Sequence, residues 1–92
     1  MAFGQEIYNL LPNEAYMLVH IIAALLGFYL ASKSASMGKE GKAWMPLFAL
    51  YGVSEVAHLL THMGVFTLPF THLLQEVLLL VGFVLGMMGM KK

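Results

Sequence analysis

The sequence predicts an all-α integral membrane protein in which three helices form a bundle. Of its 92 residues, 60% are hydrophobic and only 11% are charged, whereas an ordinary soluble domain carries about 25% charged residues. The apolar residues fall into three stretches of about 20 residues, the length at which a helix crosses the roughly 30 Å hydrocarbon core of a bilayer. We therefore expect one multi-pass transmembrane domain over residues 1–92, in the inner or plasma membrane of the cell.

The first two predicted spans cover about residues 14–32 and 44–63. Asn13 precedes the first span, where its side chain can cap the N-terminus of the helix, and Glu14 follows at the positive end of the helix dipole. The polar stretch between the two spans is predicted as the one extended loop. Pro46 is expected in the first turn of the second helix, a position that tolerates proline.

The third predicted span covers about residues 69–90 and begins after Thr67. Only about five residues separate it from the second span, so these two helices are expected to form a tight antiparallel hairpin. Gly82 and Gly86 have the small-x-x-x-small spacing that lets membrane helices approach closely. The pattern predicts a close helix contact, either within the chain or between copies of it.

Residues 1–12 are too short to cross a bilayer and mix apolar with polar side chains. This composition is typical of an arm or a short helix that lies at the membrane interface. A secretory signal peptide would begin with a basic stretch, but here Glu6 and Glu14 precede the first apolar run. We therefore expect the first span to remain in the mature protein.

The lysines predict the orientation of the bundle. All of them lie either in the first loop or after the third span, namely Lys33, Lys39, Lys42, Lys91 and Lys92. Positive charge is enriched in cytoplasmic loops. The first loop and the C-terminus are therefore expected in the cytoplasm and the N-terminus outside, as an odd number of spans requires.

The composition excludes several classes of function. The net charge is zero, so the chain lacks the basic surface that nucleic-acid binding requires. It contains no cysteine, which excludes a disulfide framework and a thiolate metal site. A metal ion would have to bind through histidine, glutamate or methionine.

Six ionisable residues lie within the predicted spans, where they usually face the bundle interior or a water-filled cavity because facing lipid is costly. Three lie on one stripe of the second helix, and two share a face of the third. The six are His20, Glu55, His58, His62, His72 and Glu76.

Counting residues from the two connections predicts which of these side chains lie at the same depth. His20, His58 and Glu76 form one predicted layer. Tyr16, His62 and His72 form a second layer about 6 Å nearer the outer surface, since four helical residues rise by that distance. The alternative interpretation of Tyr16 is that it belongs to the belt of aromatic residues at the membrane–water interface.

Such layers can hold a transition metal or a haem. Neutral imidazole is a common ligand of Zn, Cu and Fe, and two histidines with one carboxylate form a recurrent set for non-haem iron. His20, His58 and Glu76 have this composition, and His62, His72 and Glu55 are further candidate ligands. Alternatively, His20 and His58 on different helices are the candidate axial ligands of a haem b. The nearby carboxylates favour a compact metal site over haem.

Three helices form a thin bundle, so we expect the chain to act with other membrane subunits or with copies of itself. The favoured interpretation is a small, non-catalytic subunit of a membrane redox or respiratory-type complex that carries the metal or haem in its outer half. An accessory structural subunit without a cofactor is an alternative, and so is an oligomeric cation carrier. A small intramembrane metalloenzyme is the remaining alternative, and no residue pattern in the chain identifies a reaction.

The carrier interpretation comes from a resemblance in layout. Three spans, an external N-terminus, a longer first loop, a tight second turn and the Gly82-x-x-x-Gly86 pattern resemble the Ctr copper transporters. The resemblance implies passage of copper through an oligomer. The methionine pair of that family's second span is absent, and His58 and His62 have the corresponding spacing here.

Overall fold

The computed structural model describes residues 8–91 and confirms an all-α architecture of three long helices packed as a bundle. Helix α1 spans Asn13–Ala35, α2 spans Gly38–His62 and α3 spans Leu68–Lys91. Residues 1–7, most of the predicted interfacial arm, lie outside the described residues. Tyr8 and Asn9, at the end of that arm, are helical.

The first connection is much shorter than the sequence predicts. Only Ser36 and Met37 separate α1 from α2, and Gly38 reverses the chain with a φ of 84°. The polar stretch 39–42 is helical, and Pro46 lies inside α2 rather than in its first turn. Hydropathy locates the apolar part of a helix, but lysine and glutamate are good helix formers and continue it beyond that part.

Asn13 is not the helix cap that the sequence predicts. Pro12 occupies the N-cap position of α1, and no side chain bonds to the free backbone N–H groups there. Asn13 is the first residue of the helix, and its side chain bonds to α2 instead. Glu14 does lie in the first turn.

The tight hairpin between α2 and α3 is confirmed, with residues 63–67 as the connection. Gly64 has a φ of 83°, a conformation that glycine adopts without steric cost. Close to this turn the hydroxyl groups of Thr61 and Thr71 bond to each other across the two helices. We call this end of the bundle, where α1 also begins, the hairpin end, and the opposite end the lysine end.

Helix α2 lies between the other two helices. It packs against α1 and against α3, whereas no Cα atom of α1 lies within 8 Å of one of α3 in the described chain. The contact with α1 is made by small residues, and Ala24, Gly27, Ala31 and Ser34 form its buried stripe. A Cβ atom on Gly27 would lie 3.1 Å from Cα of Gly52, so the two backbones approach closely, as in membrane helix pairs.

The predicted contact at Gly82 and Gly86 occurs within the chain. Both glycines are buried against α2, Gly82 on Leu47 and Gly86 on the ring of Trp44. A Cβ atom on Gly82 would lie 2.9 Å from Cα of Leu47. Glycine is therefore required for this approach of α3 to α2.

The large apolar side chains point outward. Leu25 and Leu80, for example, are each 65% exposed, while the buried hydrophobic core consists of alanines. All three helices are long and apolar enough to cross a membrane. This distribution is opposite to that of a soluble domain and fits a bundle whose outer surface contacts lipid acyl chains.

Candidate functional site

Three imidazole rings meet between α1 and α2, in the half of the bundle near the hairpin end. His20 of α1 stacks on His58 with ring centroids 5.0 Å apart and on His62 with centroids 5.2 Å apart. All three side chains are half-buried. We call His20, His58 and His62 the histidine cluster.

Glu55 holds the central ring of the cluster. Its Oε1 lies 2.6 Å from Nδ1 of His20, and the two side chains are only 10% and 19% exposed. A carboxylate accepts this bond from the Nδ1–H group, so Nε2 of His20 remains as the second ring nitrogen.

Gln75 of α3 holds the second ring. Its Oε1 lies 2.5 Å from Nε2 of His58. An amide oxygen only accepts, so the imidazole donates from Nε2 and its Nδ1 carries no proton in the neutral ring. The sequence predicts Glu76 beside His58, but the structure places its neighbour Gln75 against the ring, and Glu76 is exposed. Glu76 lies about 1.5 Å away along the axis but on another face of α3.

Asn13 holds the third ring. Its Oδ1 lies 2.9 Å from Nδ1 of His62, and its Nδ2 donates to the backbone carbonyl of the same residue over 2.8 Å. These two bonds connect the start of α1 to the end of α2. Nε2 of His62 remains as the second ring nitrogen.

An aromatic stack continues from the cluster toward the hairpin end. The ring of Tyr16 lies nearly parallel to that of His62, with centroids 5.4 Å apart and an interplanar angle of 7°. Tyr8 stacks on Tyr16 in turn, with centroids 4.3 Å apart, and its backbone carbonyl accepts a bond from the Tyr16 hydroxyl. Tyr16 is therefore half-buried against the cluster, and its hydroxyl bonds to Tyr8 rather than to a histidine.

The second nitrogens of the cluster are His20 Nε2, His58 Nδ1 and His62 Nε2. None of them bonds to another described residue, and no unpaired side-chain nitrogen or oxygen is fully buried in the described chain. Each of these three nitrogens therefore reaches the accessible surface. A neutral imidazole nitrogen without a proton is a donor to metals.

In the described conformation the three free nitrogens do not converge. The His20 and His58 rings are inclined by only 13°, and the lone pairs of stacked rings lie in separate parallel planes. Within residues 8–91, no three His, Cys, Asp or Glu side chains are already placed to hold a metal ion. A shared ion would need rotation of the side chains about their Cα–Cβ bonds.

A haem between His20 and His58 does not fit this packing. The axial imidazoles of a haem point end-on at the iron from opposite faces of the porphyrin. Here the two rings stack on each other at 5.0 Å, and the helices behind them touch through glycine and alanine.

His72 and Glu76 lie apart from the cluster. Both side chains are exposed on the outer face of α3, one turn from each other. Of the six predicted site residues, the structure thus brings together His20, Glu55, His58 and His62. The polar residues that the sequence analysis missed are Gln75 and Asn13, which are neutral amides and so carry no charge signal within an apolar helix.

Comparison of the chain with protein-family models, with curated proteins and with solved structures gave no match. The resemblance to the Ctr copper transporters therefore remains one of layout.

Proposed function

We propose that this chain is a small integral membrane subunit of a larger redox-type complex and that its histidine cluster binds one transition-metal ion. One observation carries the proposal. Each of three neighbouring imidazoles has one ring nitrogen bonded to a side-chain oxygen and the other nitrogen free. Metal-ligating histidines in proteins carry a bond of this kind, which fixes the tautomer of the ring. In this proposal the side chains rotate on metal binding so that the three free nitrogens face one ion.

In this proposal the three histidines are the ligands and three other residues position them. Glu55, Gln75 and Asn13 each accept a hydrogen bond from one imidazole and leave its other nitrogen for the metal. Copper, iron and zinc are among the metals that an imidazole site accepts.

Two exposed ionisable side chains on α3 support the assignment to a larger complex. His72 and Glu76 are exposed on a helix that is apolar enough to cross a membrane. Ionisable side chains within a membrane rarely face lipid. A neighbouring subunit that contacts this face of α3 would provide the polar partners that the described chain lacks.

A structural subunit without a cofactor is the second candidate. The same three hydrogen bonds join α1, α2 and α3, and polar bonds of this type stabilise membrane helix pairs by about 0.6 kcal/mol each. In that case the histidines would hold the bundle together. The two candidates differ in whether metal is bound.

The test is elemental analysis of the chain purified in mild detergent, with wild type, His58→Ala and His72→Ala compared. His72→Ala removes the same ring outside the cluster and is the matched control. We expect about one metal ion per chain in wild type and in the control, and loss of the metal in His58→Ala. Absence of metal from all three proteins, also after addition of copper, iron or zinc, would favour the structural subunit.

A further inference from the structure

A groove runs along α2. At the lysine end it lies between α1 and α2, and farther along it is also lined by α3. It consists of two adjoining cavities of about 430 Å³ and 350 Å³, and both are lined by Leu30 and Phe48. Each lies within the 300–1,000 Å³ range of small-molecule sites. None of the residues that line the groove belongs to the histidine cluster, so the two sites are separate.

The cavity at the lysine end is polar on one side. Lys33 and Glu40 both line it, together with Trp44 and Ser34. The Lys33 ammonium lies 5.8 Å from the centre of the Tyr29 ring, a cation–π contact that extends its side chain along α1. One cation and one anion are therefore offered to the same ligand.

The deeper cavity is apolar. It is lined by Leu47 and Tyr51 of α2, by Leu79 and Phe83 of α3 and by the two shared residues, and its accessible lining contains no polar surface. It continues from the lysine-end cavity toward the middle of the bundle. The whole groove is thus polar at one end and apolar along its length.

We infer that this groove binds one phosphatidylethanolamine molecule, with its phosphate at Lys33, its ammonium at Glu40 and an acyl chain along the apolar cavity. The paired charges select this headgroup. A primary ammonium donates hydrogen bonds to a carboxylate, whereas the quaternary ammonium of phosphatidylcholine has no N–H group. Phosphatidylglycerol has a phosphate for Lys33 but no cation for Glu40, so it leaves that carboxylate unpaired beside an anionic lipid.

The test is native mass spectrometry of the full chain in detergent, titrated separately with phosphatidylethanolamine, phosphatidylcholine and phosphatidylglycerol of identical acyl chains. We expect one tightly held lipid and a preference for phosphatidylethanolamine of about threefold or more, the scale of one partly exposed charge pair. Equal binding of the three lipids would overturn the proposal.

Two variants separate the headgroup contacts. Lys33→Gln should weaken binding of all three lipids, while Lys39→Gln, which removes the same charge from the same end of the bundle outside the groove lining, should not. Glu40→Gln should abolish the preference for phosphatidylethanolamine over phosphatidylglycerol. An unchanged preference in Glu40→Gln would overturn the proposed headgroup, and His58→Ala should retain the lipid whether or not the histidine cluster binds metal.

Discussion

At the residue scale, the chemistry of the histidine cluster depends on which nitrogen of each ring is already bonded. Glu55, Gln75 and Asn13 each occupy one nitrogen of a different histidine. The contact between His20 and His58, and that between Tyr16 and His62, follow from counting residues back from the turns. The amide partners do not, because one residue of register moves a side chain by about 100° around a helix.

Substitution of Glu55 by glutamine tests its role as a positioning residue. Glutamine retains an oxygen that can accept the bond from His20 but removes the negative charge. We expect the affinity for the metal to fall by about tenfold or more, as for other residues that hold a metal-ligating histidine. Competition with a chelator of known affinity measures this change.

Glu76→Gln makes the same chemical change on the exposed face of α3 and should leave the affinity unaltered. Loss of all metal binding in Glu55→Gln would identify Glu55 as a direct ligand. If Glu55→Gln binds the metal with the same affinity as the wild type, Glu55 has no role in metal binding.

At the element scale, the position of the cluster follows from two short connections. The first turn consists of Ser36 and Met37. It comes earlier in the chain than the middle of the loop that the sequence predicts between residues 32 and 44. His20 therefore faces Glu55 as well as His58. Hydropathy predicts the three spans and the hairpin, because both depend on apolar length. It cannot show where a helix ends in a polar segment, so the start of α2 at Gly38 was not predictable in this way.

The contact between α2 and α3 predicts a stability effect at Gly82. Gly82→Ala would place a methyl group 2.9 Å from Cα of Leu47, a backbone atom that cannot rotate away. Such overpacking typically costs about 1–3 kcal/mol of the free energy of unfolding. Thermal unfolding in detergent, followed by circular dichroism, should show a lower midpoint temperature.

The control for this prediction is Val81→Leu, which adds bulk at the neighbouring position of α3. Val81 is 44% exposed, so its side chain has room for one more methylene group and its variant should unfold near the wild-type temperature. If Gly82→Ala and Val81→Leu unfold at the same temperature as the wild type, α3 does not pack on α2 through Gly82.

At the scale of the whole molecule, the bundle is open. Helix α2 packs against both neighbours, no Cα atom of α1 lies within 8 Å of one of α3 in residues 8–91, and large apolar side chains cover the exterior. The two candidate sites lie toward different ends of this open bundle. The histidine cluster lies nearer the hairpin end, and the groove with Lys33 opens at the lysine end. The cluster and the opening of the groove therefore lie toward opposite ends of the bundle.

The orientation in the membrane can be tested with single cysteines, because the chain contains none of its own. Thr67→Cys lies in the turn at the hairpin end and Ser36→Cys in the turn at the lysine end. If the lysine end is cytoplasmic, a membrane-impermeant maleimide added to intact cells should label only Thr67→Cys. Ser36→Cys should react after the membrane is permeabilised, and the reverse pattern would contradict the predicted orientation.

The most direct test of the metal proposal is X-ray absorption at the metal edge of the purified protein. We predict a first shell that includes three nitrogens at about 2.0–2.1 Å, with the outer-shell scattering of imidazole rings. This result would identify the three histidines of the cluster as ligands. A shell of oxygens without imidazole scattering, the four pyrrole nitrogens of a haem, or the absence of any metal edge would contradict the account.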